Sequence, residues 1–157
     1  MPPKPGLFFE QLQKIDKAYR RYYHLLLSEY QFSPNEVVVL LFLHNNAPTR
    51  DTASDIVRCK GISKGMVARS VDSLCQKGYL EACRDPRDRR VIHLSLSAKC
   101  EPIRNQIEEK QQLLFRAVRQ GLSEEALAVT TDTLERLLHN TESFFKEECS
   151  HAANESD

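Results

Sequence analysis

Between Thr52 and Leu96 the sequence runs "TASDIVRCKGISKGMVARSVDSLCQKGYLEACRDPRDRRVIHLSL", and no other stretch restricts the fold as tightly. Thr52 and Asp55 stand at the spacing of a capping box, which starts a short helix. "KGI" then makes a tight turn. A second helix runs from an N-cap at Ser63 to a C-terminal glycine, Gly78. In that helix Val67, Val71 and Leu74 fall on one face, and Lys64, Gly65, Ala68, Arg69 and Asp72 on the other. Helix, glycine turn and one-sided helix form a helix-turn-helix pattern, although any αα-hairpin can share it. The residues after Gly78 separate these two readings. "YLEACR" and "VIHLSL" alternate as strands around a charged loop, and a β-hairpin directly after such a helix makes a winged helix.

The flanking segments are helical. Phe8, Leu12, Ile15, Tyr19, Tyr22 and Leu26 step by four and three along one face, a spacing that fits a core stripe and a dimer seam equally. "SPNE" at Ser33–Glu36 supplies an N-cap serine, a proline at the first helical position and a glutamate three residues on. The apolar run Val37–Leu43 behind it predicts a central, buried helix. A further helix is expected from Ser97, as N-cap, through Ile103, Ile107, Leu114 and Ala117 to a break at Gly121. The last helix starts at Ser123 with two glutamates in its first turn, which suits the helix dipole. There Leu127, Thr131, Leu134, Leu138, Thr141 and Phe145 repeat the same step. So long a stripe exceeds what a small lobe can cover, and a second copy of the chain is the expected cover. The organisation expected is a single domain over 1–157, with a winged helix-turn-helix lobe at 33–96 and dimerisation helices at 7–30 and 97–149. The fold class is mainly α, with a small β component.

The chain has 157 residues and no formal net charge, but the charge is unevenly placed. Residues 50–104 carry twelve Lys/Arg against seven Asp/Glu, and residues 105–157 carry five against eleven. A basic middle and an acidic end suggest a polyanion-binding centre. No apolar run approaches the roughly 18 residues needed to span a bilayer, and "MPPKPGLFFEQLQ" lacks a signal-peptide core, so cytoplasmic residence away from membranes is expected. The cysteines Cys59, Cys75, Cys83, Cys100 and Cys149 are odd in number and lack C-x-x-C spacing, so they read as reduced thiols. Any one of them remains open as a redox sensor. There is no Gly-rich phosphate loop, no H-E-x-x-H and no G-x-S-x-G, and His24, His44, His93, His139 and His151 do not cluster in sequence. Catalysis, a cofactor and a metal site are therefore not expected.

The order of elements, the segment "ISKGMVARSVDSLCQKGYLE" and the wing "DPRDRRVIHLSLS" resemble the MarR family of bacterial transcription regulators, over roughly Leu7 to Phe145. The resemblance implies a homodimer joined through its first and last helices, whose two winged lobes grip double-stranded DNA at a pseudo-palindromic operator. It places Ser63, Lys64, Gly65, Met66, Arg69 and Ser70 nearest the major groove. In the wing it places Arg87, Asp88, Arg89 and Arg90, with Arg90 in the minor groove and Asp88 bracing it. It also implies a phenolic or lipophilic effector that lowers DNA affinity, making a ligand-released repressor the expected function. Tyr19, Tyr22, Tyr23 and His44 are the candidate effector residues, being aromatic bodies with polar tips. The alternatives are a redox- or metal-responsive regulator of the same fold, and a winged helix that binds only proteins.

Simple physics supports a DNA role for the wing. DNA carries about one charge per 1.7 Å of axis, and arginines that displace its counterions supply sequence-independent affinity. Arg84, Arg87, Arg89 and Arg90 crowd a hairpin tip narrow enough for the minor groove. Asp88 is expected to hold the Arg90 guanidinium by a charge-assisted bond. Lys64, near a helix start, suits phosphate, while Arg69 suits bidentate pairing with guanine. The chain departs from the family pattern at Gly65 inside the recognition helix and at Cys100, where glycine is common. It also has no cysteine before Cys59, which argues against the first-helix thiol of the peroxide-sensing branch.

Overall fold

The computed structural model describes the backbone of residues 5–154 and the side chains of residues 6–145. Helix α1 spans Pro5–Leu26, α2 Pro34–Asn46, α3 Ala53–Lys60 and α4 Lys64–Gln76. Strands β1 (Leu80–Arg84) and β2 (Ile92–Leu96) follow, then α5 (Glu101–Val118) and α6 (Glu124–Asn154). The chain divides into two compact units, the first extending to Lys110 and the second beginning at Gln111.

The first unit is built around α2, whose residues Glu36 to Leu43 are all buried. Around it lie Tyr23 near the end of α1 and Leu27 just after it, Ile56 from α3, Val67 and Leu74 from α4, Leu80 and Leu94 from the hairpin, and Ile103 and Ile107 from α5. This is the layer arrangement that the one-sided apolar pattern of α4 requires, because a helix apolar along one stripe must bury it against a neighbour. Both capping boxes form: Ser33 with Glu36, and Thr52 with Asp55. Gly61 ends α3 at φ 61°, in the left-handed region that a side chain resists. The strands pair antiparallel in the register Leu80↔Leu96 to Arg84↔Ile92. Their hairpin is tied to the start of α3 by a Thr52–His93 bridge and by a 2.8 Å bond from the Leu94 amide to the Asp51 carbonyl.

One expected helix start is displaced. Ser97 does not cap α5; its hydroxyl donates instead to the Gly78 carbonyl at 2.7 Å. A 3-10 turn at Ala98–Cys100 intervenes, and the α-helix begins at Glu101. Tertiary contact with the end of α4 has taken the serine that local sequence would have used as a cap.

In the second unit Ser123 caps α6 as expected, accepting from the Ala126 amide at 3.1 Å, and Arg119 pairs with Glu124 across the turn. None of its described side chains is buried. Leu134, Leu138 and Phe145 stand exposed on the predicted stripe. The hydroxyls of Thr131 and Thr141 donate to Leu127 and Leu137 carbonyls of their own helix, so the stripe carries no unsatisfied polar atom from them.

Candidate nucleic-acid interface

Helix α4 starts at Ser63, whose hydroxyl accepts from the Met66 amide at 3.3 Å. Val67 and Leu74 face inward, while Ser63, Lys64, Gly65, Met66 and Arg69 are exposed. Ser70 departs from expectation. It is 6 % exposed, because it lies one turn after Val67 and one turn before Leu74, on the packed side of the helix. It meets the lobe and not the solvent. The Arg69 guanidinium bends back toward the Gly65 carbonyl at 3.3 Å, a long contact that a better acceptor would displace. Space around Gly65 is open: a methyl group there would meet no atom within 4 Å.

Glu36 sets the position of α4, and nothing local in the sequence marks it for more than a cap. Its Oε2 accepts from the Ser33 amide at 2.7 Å, and its Oε1 accepts from the Ser73 hydroxyl and the Lys77 ammonium, both at 2.7 Å. Burial raises its carboxyl pKa, but the bonds from Lys77, Ser33 and Ser73 outweigh that and hold it below the ordinary range. A depressed folded value means that this stability is present above the usual carboxylate pKa and is lost as pH falls through the folded one. Glu36→Gln is expected to cost about 1–3 kcal/mol in urea unfolding near neutral pH, toward the lower end because the Lys77 side chain can turn to water. The variant should also lack the acid limb that Glu36 gives the wild type. A variant as stable as wild type near neutral pH, with the same loss of stability on acidification, would contradict this role.

The loop between the strands is ordered by aspartates. Asp85 Oδ1 accepts from the amides of Arg87 and Asp88 at 2.7 and 2.8 Å, and Asp88 Oδ1 accepts from the Arg90 amide at 3.0 Å. Asp88 therefore fixes the backbone of Arg90 and not its guanidinium, correcting the expected brace: at two residues' separation in a turn, the amide lies nearer than the side-chain end. Among the described residues, none of Lys64, Arg69, Arg84, Arg87, Arg89 and Arg90 takes part in an ion pair. These cations are exposed and have not been neutralised by the protein itself.

The candidate effector residues are brought together only in part. Tyr23 is fully buried, its ring 4.8 Å from that of Tyr19 and edge-on to Tyr22 at 5.1 Å. Tyr22 donates to the Lys110 carbonyl at 3.4 Å. Tyr19 lines a shallow cleft with Asp16, Arg20, Val38 and Lys60, which the other three do not line. His44 sits on α2, held below the usual imidazole range by burial, with Glu108 opposing and Arg104 reinforcing that shift. The buried His44 Nδ1 has no hydrogen-bond partner among the described residues.

Among the described residues, no group of three or more His, Cys, Asp or Glu could hold a metal ion, and no helix is long and apolar enough to cross a membrane. Burial pushes the Cys75 and Cys100 thiols up, opposite to what a reactive thiolate needs. Cys59 and Cys83 are exposed, and the Cys149 side chain lies outside the described residues.

A MarR family model matches residues 30–91, the span from just before α2 through the wing loop. The HTH-type transcriptional regulator SarT of Staphylococcus aureus is 31% identical over 86 residues, covering 55% of this chain and 69% of SarT. The chain belongs to the MarR family. Among solved structures, the transcriptional regulator PA3341 matches with a TM-score of 0.77 and 26% identity, over 87% of this chain and 98% of that one. The S. aureus MepR–DNA complex matches with a TM-score of 0.66 over 88% of this chain and 99% of MepR; its 15% identity makes it a likeness of fold. As a MarR-family member with a winged helix, the protein is a transcription regulator and not an enzyme.

Proposed function

We propose that this MarR-family regulator binds a pseudo-palindromic DNA operator as a homodimer and represses transcription until a small aromatic or lipophilic effector releases it. The observation that carries the DNA reading is the set of exposed cations on α4 and on the wing. Six such groups in a single lobe have no carboxylate partner among the described residues, and a polyanion supplies the missing charge. Residues 33–96 act as the reading lobe. Ser63, Lys64, Gly65, Met66 and Arg69 face the major groove, while Arg87, Arg89 and Arg90 approach the minor groove with Asp88 fixing the loop. Ser70 supports the helix from behind. The segments 7–30 and 97–149 supply the dimer interface, an assignment supported by the exposed apolar side chains of α1 and α6.

Arg69 is the base-reading candidate. Arg69→Ala should reduce discrimination between a selected duplex and its point mismatches by about 1–3 kcal/mol at the position it reads. Equal losses on matched and mismatched duplexes, measured by fluorescence anisotropy, would assign it to phosphate instead. Gly65 offers a separate check. Since a methyl group fits the free protein, Gly65→Ala should raise folding stability by up to about 0.5–1 kcal/mol. If the glycine serves close approach of DNA to the backbone, the same variant binds DNA more weakly. Unchanged or tighter binding would remove that role.

The effector reading is supported by the buried His44 Nδ1, which has no hydrogen-bond partner among the described residues and which a polar ligand atom or a water could satisfy, with the Tyr23 hydroxyl beside Tyr19 as the second polar group. A thermal-shift screen of aromatic acids tests it: stabilisation that Tyr23→Phe and His44→Phe both weaken supports this site, and no stabilisation at millimolar concentration argues against it.

A further inference from the structure

His93 lies outside both the recognition helix and the arginine-rich tip, yet both of its ring nitrogens meet carboxylates from different segments of the lobe. Its Nδ1 is 2.7 Å from Asp51 Oδ1, and its Nε2 is 3.1 Å from Asp85 Oδ2. Asp51 immediately precedes Thr52, the N-cap of the first helix of the helix-turn-helix. Asp85 is the residue whose other oxygen orders the amides of Arg87 and Asp88. The imidazole thus bridges the two DNA-facing parts of the lobe. We propose that His93 is a positioning residue for the wing: as an imidazolium it latches the arginine-bearing loop to the helix-turn-helix, so that DNA affinity follows the charge of this ring. This role rests on the DNA-binding reading and adds a pH-dependent element to it.

Hydrogen-bond counting gives the ring its charge. Ionised carboxylates only accept, and a neutral imidazole donates from one nitrogen alone. Two carboxylates on opposite ring nitrogens are both satisfied only when both nitrogens carry protons. Their opposed placement also prevents a single metal ion from joining all three groups. Loss of one proton leaves a nitrogen lone pair facing a carboxylate, which is repulsive. Asp51 holds the shorter contact, so the proton is retained on that side and the Asp85 side opens. The loop then loses its anchor to the sheet side chain, though not the turn formed by Asp85 itself. The titratable groups facing the ring are Asp51 before α3, Asp85 in the loop and Cys83 opposite it in the strand register. The two aspartates raise the His93 pKa above the ordinary imidazole value. Asp85 is lowered in turn, first by the Asp88 and Arg87 amides and then by His93. With the folded value raised, the latch is complete at and below the ordinary value of about 6.5 and is lost as pH rises through the folded one.

The test uses the full chain, with wild type, His93→Gln and Asp85→Asn, and a duplex that the wild type enriches from a random-sequence pool. Anisotropy is measured from about pH 6 to about pH 9 at constant ionic strength. The wild type should lose about tenfold more affinity over this range than either variant, the scale of one charge-assisted hydrogen bond. Both variants should be weaker than wild type at the acid end, with circular dichroism confirming that they are folded. In parallel, the His93 ring proton is titrated by NMR without DNA: a value above the ordinary range, falling in Asp51→Asn and Asp85→Asn, is expected. Parallel pH curves for wild type and His93→Gln, or an ordinary ring titration, would overturn the latch while leaving DNA binding intact. A wild type that enriches no sequence and binds no DNA at any pH would overturn both.

Discussion

Arg90→Ala is expected to weaken DNA binding on every sequence while leaving the fold unchanged. Asp88 holds the Arg90 amide and not its guanidinium, so truncating the side chain keeps every hydrogen bond that shapes the loop. Stability should change by no more than about 0.5 kcal/mol, as for a surface substitution away from any structural feature. The binding loss is larger. An arginine that contacts the DNA backbone contributes about one unit to the slope of log affinity against log salt. A dimer carries two copies of the residue, so the slope should fall by about two. A charge-assisted contact worth about 1.5–3 kcal/mol per lobe doubles to about 3–6 kcal/mol per operator. Anisotropy titrations at several salt concentrations, with thermal melts alongside, read both quantities. An unchanged salt slope would take Arg90 off the DNA.

The second large effect is on assembly. Leu134, Leu138 and Phe145 repeat at helical spacing on α6, all exposed, and the nearby Thr131 and Thr141 hydroxyls are already spent on their own helix. An isologous pair of chains would cover the described part of this stripe, as the dimer proposed above requires. Leu138→Glu places a carboxylate on that stripe, and a twofold interface receives the charge twice. Sedimentation should shift from dimer to monomer at micromolar concentration. Operator affinity should fall at least about a hundredfold, because two linked half-site contacts become independent ones. A dimer that survives Leu138→Glu and Leu134→Glu together would place the interface on other residues.

The parts of this lobe that were readable from sequence are those governed by local chemistry. The capping boxes at Ser33–Glu36 and Thr52–Asp55 depend on groups three residues apart, and both form as the spacing requires. The one-sided pattern of α4 predicted Val67 and Leu74 inward and Lys64 and Arg69 outward, because burial follows helical period. The misreadings arose where a tertiary partner or a finer geometry decided. Ser97 gave its hydroxyl to Gly78, Ser70 turned to the packed side, and Asp88 found an amide nearer than a guanidinium. Two features had no sequence signal. Glu36 looked complete as a capping residue, yet it also joins Ser73 and Lys77, 37 and 41 positions away. His93 meets Asp51 across 42 positions, a pairing that only the docking of the hairpin on α3 creates. The apolar stripe of α1 fitted a core and a seam equally in sequence, and that of α6 repeated its spacing. In the fold Ile15 on α1 and Leu138 on α6 are exposed, while Phe8, Leu12, Tyr19, Tyr22 and Leu26 are half-buried, so the α1 stripe is covered in part by its own lobe.

The measurement that tests operator recognition most directly is selection from a random-sequence DNA pool by the wild-type protein. Anisotropy then compares the enriched duplex with its scrambled counterpart at low and at physiological salt. A homodimeric operator-binding regulator should enrich an inverted repeat and bind it more tightly than the scramble, with an affinity that falls steeply as salt rises. No enrichment, or equal and salt-insensitive binding to both duplexes, would contradict that function and leave the exposed cations of α4 and the wing to a protein partner.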